Sequence, residues 1–395
     1  MRKLIYIRKD EYFFDRLLDF KFTYDVDYTT LVSINKLNKK DKYVYIKYFR
    51  GHPFLEAKRF KSEHDLLLWE KMKEFDIKLI YISDNESGST DSITWFESWL
   101  TDKGVDLSKV ILINNNRWID KIPSNENKIE ITSFERIVWE GVKCLVNNND
   151  PNFDNDSKKK IFQCYNRAVN SYRTCVICDL IKNDLIDEVD WSHLRRPDWL
   201  DAVPGDVGLT KYQIITGNTF KSIEDTYNNL VDICPKKSEF ESHYEFEDEN
   251  GAIDYNIYYN ENPYKFSYIN IVNESKFDVF DNYHMHVTEK TLLPFYYFQF
   301  PLFFANWNHV KFIEDNYGLD MFRDFINHDY DLEKDFQKRY KMLFNEINRL
   351  YKMKNEISKF YVKNRERFEN NHEKIRELVK LKNNDVEKVR GIFEL

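Results

Sequence analysis

The chain has 395 residues, of which 42% are apolar, 16% aromatic and 32% charged, and its formal net charge is −8. At about 150 residues per domain this length suits two domains with an appendage, and the apolar share excludes wholesale disorder. The acidic balance excludes a protein that coats nucleic acid or membrane by charge alone, while leaving room for one local basic groove.

The opening run is broken by Arg8, Lys9 and Asp10, so it does not read as a signal h-region, and no 18-residue apolar run occurs. Five cysteines, Cys144, Cys164, Cys175, Cys178 and Cys234, form an odd set that fits a reducing compartment. A cytoplasmic location is expected, in the host if a phage encodes the chain. Only 10 Gly and 9 Pro occur beside abundant Asn, Lys, Ile, Tyr and Phe, a usage resembling an AT-rich genome such as a virus or low-GC bacterium.

In chain order, β-rich runs at Leu4 to Ile7, Tyr43 to Phe49, Leu79 to Ser83, Val110 to Asn114 and Ile129 to Thr132 alternate with helical patterns, the rhythm of a parallel sheet covered on both faces. Ser133 is placed to cap a helix whose apolar stripe runs from Phe134 through Ile137, Val138, Val142 and Leu145 to Val146. The polar stretch Asn147 to Asp156, with Pro151 inside it, reads as a linker. A second alternation follows: strand Ile161 to Tyr165, helix from about Tyr172 to Lys182, strand Phe266 to Val272, helix from Glu289, strand Pro301 to Ala305 and helix from about His309. Residues 185–263 show little period and read as an irregular insertion. From Leu332 onward, apolar residues at helical spacing predict amphipathic helices that brace the two domains, mediate self-association or simply pack as solvated helices on their own chain.

The expected fold class is therefore α/β, with two Rossmann-like domains facing a cleft and C-terminal amphipathic helices. Its expected parts are residues 1–149, residues 157–330 carrying the insertion, and a helical extension over 331–395.

Two such domains offer helix N-termini to phosphates at the carboxyl ends of their strands. Neither the glycine fingerprint of dinucleotide folds nor a P-loop occurs, so side chains must hold the phosphate. The most informative segment is Tyr268 to Ser275, ending in Asn273-Glu274-Ser275. After a polar loop come His286-Val287-Thr288-Glu289-Lys290 and an apolar run ending Phe300-Pro301-Leu302. At a helix start, a carboxylate such as Glu289 accepts from sugar or ribose hydroxyls and an ammonium such as Lys290 neutralises diphosphate. Both are also simply favourable first-turn residues.

This segment resembles the donor-binding motif of the α1,3-fucosyltransferase family and of related phage and viral glycosyltransferases. The resemblance extends backward to Phe162-Gln163-Cys164-Tyr165-Asn166-Arg167 and Arg173, and forward to Gly318-Leu319-Asp320-Met321-Phe322 and Asp329-Tyr330-Asp331, roughly the second half of the chain. It implies the two-domain GT-B architecture, a nucleoside-diphosphate sugar as donor substrate, and no separate cofactor or metal. It also implies that Arg173 or Arg167 grips the donor together with Glu289 and Lys290. His286 departs from the pattern, standing where the family often has Tyr.

In the first half, Leu79 to Ser83 leads into Asp84-Asn85-Glu86, and Glu86 is the candidate base for an acceptor hydroxyl in inverting transfer. Acceptors in view are a hydroxymethylated pyrimidine in phage DNA and a surface glycan. Two other classes compete, a non-catalytic binding or assembly protein and a hydrolase using Asp84 and Glu86. Asp25-Val26-Asp27 and Asp329-Tyr330-Asp331 read as surface or turn carboxylates, and Cys175 and Cys178 as small buried side chains. Lys158-Lys159-Lys160 reads as a solvated face, as does Arg195-Arg196, the latter between Trp191 and Trp199.

Overall fold

The structure is a computed structural model that describes residues 3–6, 31–49, 63–83, 90–114, 130–133, 146, 150–166, 170–194, 210–236, 238, 264–274, 285 and 287–380. These fall into two compact units, one holding the described residues up to 133 with Met285, the other those from 146 to 274 and from 287 to 380.

The first unit is a six-stranded, wholly parallel sheet of β1 (Lys3–Tyr6), β2 (Leu31–Ser33), β3 (Lys42–Phe49), β4 (Asp76–Ser83), β5 (Val110–Asn114) and β6 (Glu130–Ser133), in the order β2-β1-β3-β4-β5-β6. That order is doubly wound, with its change of direction between β1 and β3. Helix α1 (Glu63–Glu74) links β3 to β4 and α2 (Thr90–Asp102) links β4 to β5. Both crossovers run the same way along the sheet, so right-handed connection puts both helices on one face. Tyr43, Ile77, Leu79, Tyr81 and Leu112 meet Leu68, Trp69, Met72, Phe96 and Leu100 there, and all are buried.

The second unit is a four-stranded parallel sheet of β7 (Lys160–Asn166), β8 (Val189–His193), β9 (Ser267–Asn273) and β10 (Phe300–Phe304), ordered β10-β9-β7-β8. Helix α3 (Ser171–Lys182) joins β7 to β8, and α6 (Glu289–Tyr296) joins β9 to β10. Strands and helices fall within a residue or two of the sequence expectation, because near-continuous apolar runs such as Ile269 to Val272 are what a sheet covered on both faces requires. Helix α7 (His309–Tyr317) follows β10.

Three expectations are corrected. Residues 185–263 are not an unpatterned insertion, since they contain the edge strand β8 and the helices α4 (Lys211–Thr216) and α5 (Glu224–Ile233). The linker reading fails for residues 150–156, where Phe153 stacks on Tyr361 at 4.5 Å and packs against Phe298 and Phe368 inside the second unit. The C-terminal helices α8 (Phe336–Lys352), α9 (Lys354–Lys363) and α10 (Arg365–Lys380) are not a separate extension, because they close the core of that unit. Tyr340 and Phe344 cover Phe304, Tyr361 and Phe368 cover Phe300, and the Arg367 guanidinium binds Asp320 and Asp324. The helix expected over 134–146 lies outside the described residues except for Val146, and so do Asp25, Asp27, Arg195, Arg196 and Trp199.

Two smaller readings divide. Cys175 and Cys178 are buried and free of disulfides. Asp331 is no surface carboxylate: it is 2% exposed and caps α7 from outside, accepting from the Val310 and Lys311 backbone N–H groups at 2.9 and 3.0 Å. Lys158 likewise turns inward, donating to the Ser267 carbonyl at 2.8 Å beneath the Tyr361 ring.

Burial pushes the Asp331 carboxyl up to about 6, against the two N–H donors that pull it down. A carboxyl whose folded pKa exceeds its unfolded value binds more protons when folded, so its contribution favours the native state in acid and is lost as pH climbs from about 4 to about 6. Asp331→Asn should gain on the parent by on the order of 2 to 3 kcal/mol between about pH 4 and pH 7 in urea unfolding. A difference that does not vary with pH would contradict the shift.

Candidate functional site

The second sheet reverses its winding between β7 and β9, since β7 leads outward through α3 and β9 leads the other way through α6. Loops leaving in opposite directions open a crevice beyond the carboxyl ends of those two strands. Ladder pairing between β7 and β9 stops at Gln163 and Asn270, three residues short of both strand ends. Side chains bridge the gap instead: Asn273 Nδ2 donates to Asn166 Oδ1 at 2.8 Å and to Cys164 Sγ at 3.3 Å. Burial pushes the Cys164 thiol up to about 12, so that sulfur is no nucleophile.

Arg173, the third residue of α3, lies against the same place. It is 3% exposed, and its guanidinium donates to the Asn273 and Glu274 carbonyls at 3.2 and 3.4 Å. One cation therefore ties the first helix of the unit to the end of β9. The adjacent Tyr172 hydroxyl is pushed up to about 12 by burial.

Glu274, the residue after β9, has no exposed surface. Its carboxylate accepts from the Thr288 N–H at 3.2 Å, from the Thr288 hydroxyl at 2.9 and 3.0 Å, and from the Thr291 hydroxyl. Thr288 caps α6 in turn, its oxygen accepting from the Lys290 N–H at 3.3 Å. The first turn of α6 is thereby seated on the end of β9. Above this bed, Glu289 and Lys290 pair at 3.7 Å with side chains 21% and 28% exposed, so among the described residues of the motif they are the polar groups open to a ligand.

Of the residues singled out in the sequence, Asn273, Glu274, Arg173, Thr288, Glu289 and Lys290 gather around one strand end and one helix start. Arg173, Asn273 and Glu274 turn polar atoms into protein rather than outward. Glu86, Arg167, Ser275 and His286 lie outside the described residues. Asn166, Thr291 and His309 join the site without having been singled out. Thr291 carries a signal, a second threonine three positions beyond the cap and just before an apolar run. His309, whose Nε2 meets Thr291 Oγ1 at 3.0 Å, carries none.

Among the described residues no group of three or more His, Cys, Asp or Glu is arranged to hold a metal ion, and no helix is long and apolar enough to cross a membrane. No family model matches the chain, and no curated protein matches it. Among solved structures the chain is similar to the DNA-modifying enzyme β-glucosyltransferase, determined with and without its substrate uridine diphosphoglucose. The two share 11% identity over 96% of this chain and 100% of the other, with a TM-score of 0.33. A superposition of that quality assigns neither site nor activity, and the resemblance to α1,3-fucosyltransferases rests on its motif alone.

Arg173 is a buried cation whose guanidinium ties α3 to the end of β9, so Arg173→Met should cost about 2 to 3 kcal/mol in denaturant unfolding of the full chain. A loss under about 0.5 kcal/mol, the range of an ordinary surface change, would show the bridge to be unimportant.

Proposed function

We propose that the chain is a glycosyltransferase that moves a sugar from a nucleoside-diphosphate sugar to a hydroxyl acceptor, on a GT-B plan. The observation that carries this reading is the start of α6 at the winding reversal of the second sheet, with Lys290 and Glu289 partly exposed above the buried capping bed. The positive end of the helix favours a diphosphate there, and Lys290 adds a full charge. As the glycosidic bond breaks, negative charge builds on the leaving diphosphate, and a fixed cation stabilises it more in the transition state than in the ground state. Glu289 suits hydroxyl groups of the donor.

Transfer is proposed to be inverting and independent of metal, with Glu86 as the base that takes the acceptor proton, a role argued from sequence alone. A hydroxymethylated pyrimidine in DNA is the first acceptor to try and a glycan the second.

Thermal unfolding against a panel of nucleoside diphosphates and their sugars tests the donor site, since a ligand at one hundred times its Kd stabilises by ~2.7 kcal/mol. One base should produce a shift that Lys290→Ala cuts to a small but measurable remainder. In a turnover assay Glu86→Gln should keep that shift and lose transfer by roughly a hundredfold or more. Absence of a shift with every nucleotide would refute the donor site, and undiminished transfer by Glu86→Gln would refute the base.

A further inference from the structure

We infer that Glu274 is a positioning residue, its buried carboxylate fixing the first turn of α6 and through it the place of Lys290. This inference rests on the donor-site reading above. Glu274 cannot itself meet a ligand, being fully buried with its oxygens already accepting from Thr288 and Thr291. Nor does a carboxylate suit direct contact with a diphosphate, because like charges repel in a low-dielectric surrounding. What it does instead follows from the direction of the hydrogen bonds.

An ionised carboxylate only accepts, so both threonine hydroxyls must donate to it. Thr288 then has its lone pairs free to accept from the Lys290 N–H, and Thr291 has its own free to accept from the His309 ring at 3.0 Å. With Glu274 ionised, the direction of these bonds has His309 donating from Nε2, so the chain runs His309 to Thr291 to Glu274. Since His309 opens α7, one carboxylate orients the starts of two successive helices, α6 and α7. The cap of α6 is also the residue two before Lys290, so a rotation of Thr288 displaces the backbone that carries the cation.

Glutamine at 274 keeps the size and offers one acceptor and one donor in place of two acceptors. The Thr288 N–H and the two threonine hydroxyls converge on Oε1, so an amide oxygen placed there keeps their direction but gives up the charge that strengthens all three bonds. The two accounts of Glu274 predict opposite signs. A carboxylate that merely repelled the anion would leave tighter binding in Glu274→Gln, whereas a positioning carboxylate leaves weaker binding.

The test is calorimetric binding of uridine diphosphate, guanosine diphosphate and inorganic pyrophosphate to the full chain. It is joined to amide hydrogen exchange at Thr288, Lys290 and Thr291. Glu274→Gln should weaken whichever diphosphate the parent binds by about tenfold or more, a loss typical of a binding group displaced by a fraction of an ångström. With Lys290→Ala as background the same change should add little, because its effect passes through Lys290. Exchange at the three amides should quicken by about tenfold or more in Glu274→Gln and less in Thr291→Val, with β9 and α3 protected as in the parent. Thr291→Val removes a single link and supplies the result if Glu274→Gln fails to fold. Tighter or unchanged binding, full additivity with Lys290→Ala, or unaltered exchange at the first turn would each overturn the inference. If the parent binds none of the three probes, the donor reading falls while the exchange data still decide whether Glu274 holds the helix.

Discussion

A carboxylate with no contact to water must find its hydrogen-bond donors in the protein around it, and the arrangement of the second unit's crevice follows from how Glu274 finds them. They come from the next element, α6, whose cap and third residue are both threonines. Strand end and helix start are thereby locked together across a loop. Arg173 performs the matching task with opposite chemistry, as a buried donor for the last carbonyls of β9 and the residue after it. An acceptor and a donor, both anchored at one strand end, hold it together with the Asn166 to Asn273 bond from β7 and the pairing with β10.

Much of this is legible in the sequence, and the reason is periodicity. Strands covered on both faces are near-continuous apolar runs, so β7, β9 and β10 announce themselves through Ile161 and Phe162, through Ile269 to Val272, and through Leu302 to Phe304. Helix starts are equally plain at Thr288 and near Tyr172. Strand β8 escapes such a reading because three of its five residues, Asp190, Ser192 and His193, are polar, although every one of the five is buried. Polar side chains there find partners only in the fold: Asp190 accepts from Ser238 at 2.5 Å and also meets the Tyr165 hydroxyl, while His193 lies 3.3 Å from Thr174. Those partners stand 19 to 48 residues away in sequence, beyond the reach of any local pattern.

The site is legible only in part for a related reason. Sequence spacing brings Glu289 and Lys290 to a helix start, but it does not tell an exposed charge from a buried one. Glu274 and Glu289 look alike in the motif, yet one is sealed beneath the helix and the other stands open beside Lys290. The same ambiguity conceals Asp331, which reads as a turn residue and instead caps α7 because Asn308, in the left-handed conformation, makes no side-chain cap of its own.

On the proposed donor-site reading, the open pair lets one short motif serve an anion without being repelled by its own carboxylate. At 3.7 Å and partly exposed, the Glu289 to Lys290 pair is worth little in water, on the order of 0 to 1 kcal/mol, so separating it costs little. On the proposed donor-site reading, a diphosphate that displaces Glu289 gains a charge-assisted contact to Lys290 at the positive end of the helix. The freed carboxylate then has use for hydroxyl donors on the same ligand. Glu274, already committed to the two threonines beneath, keeps the backbone from following Lys290 as it moves, so the change of partner stays confined to the two side chains.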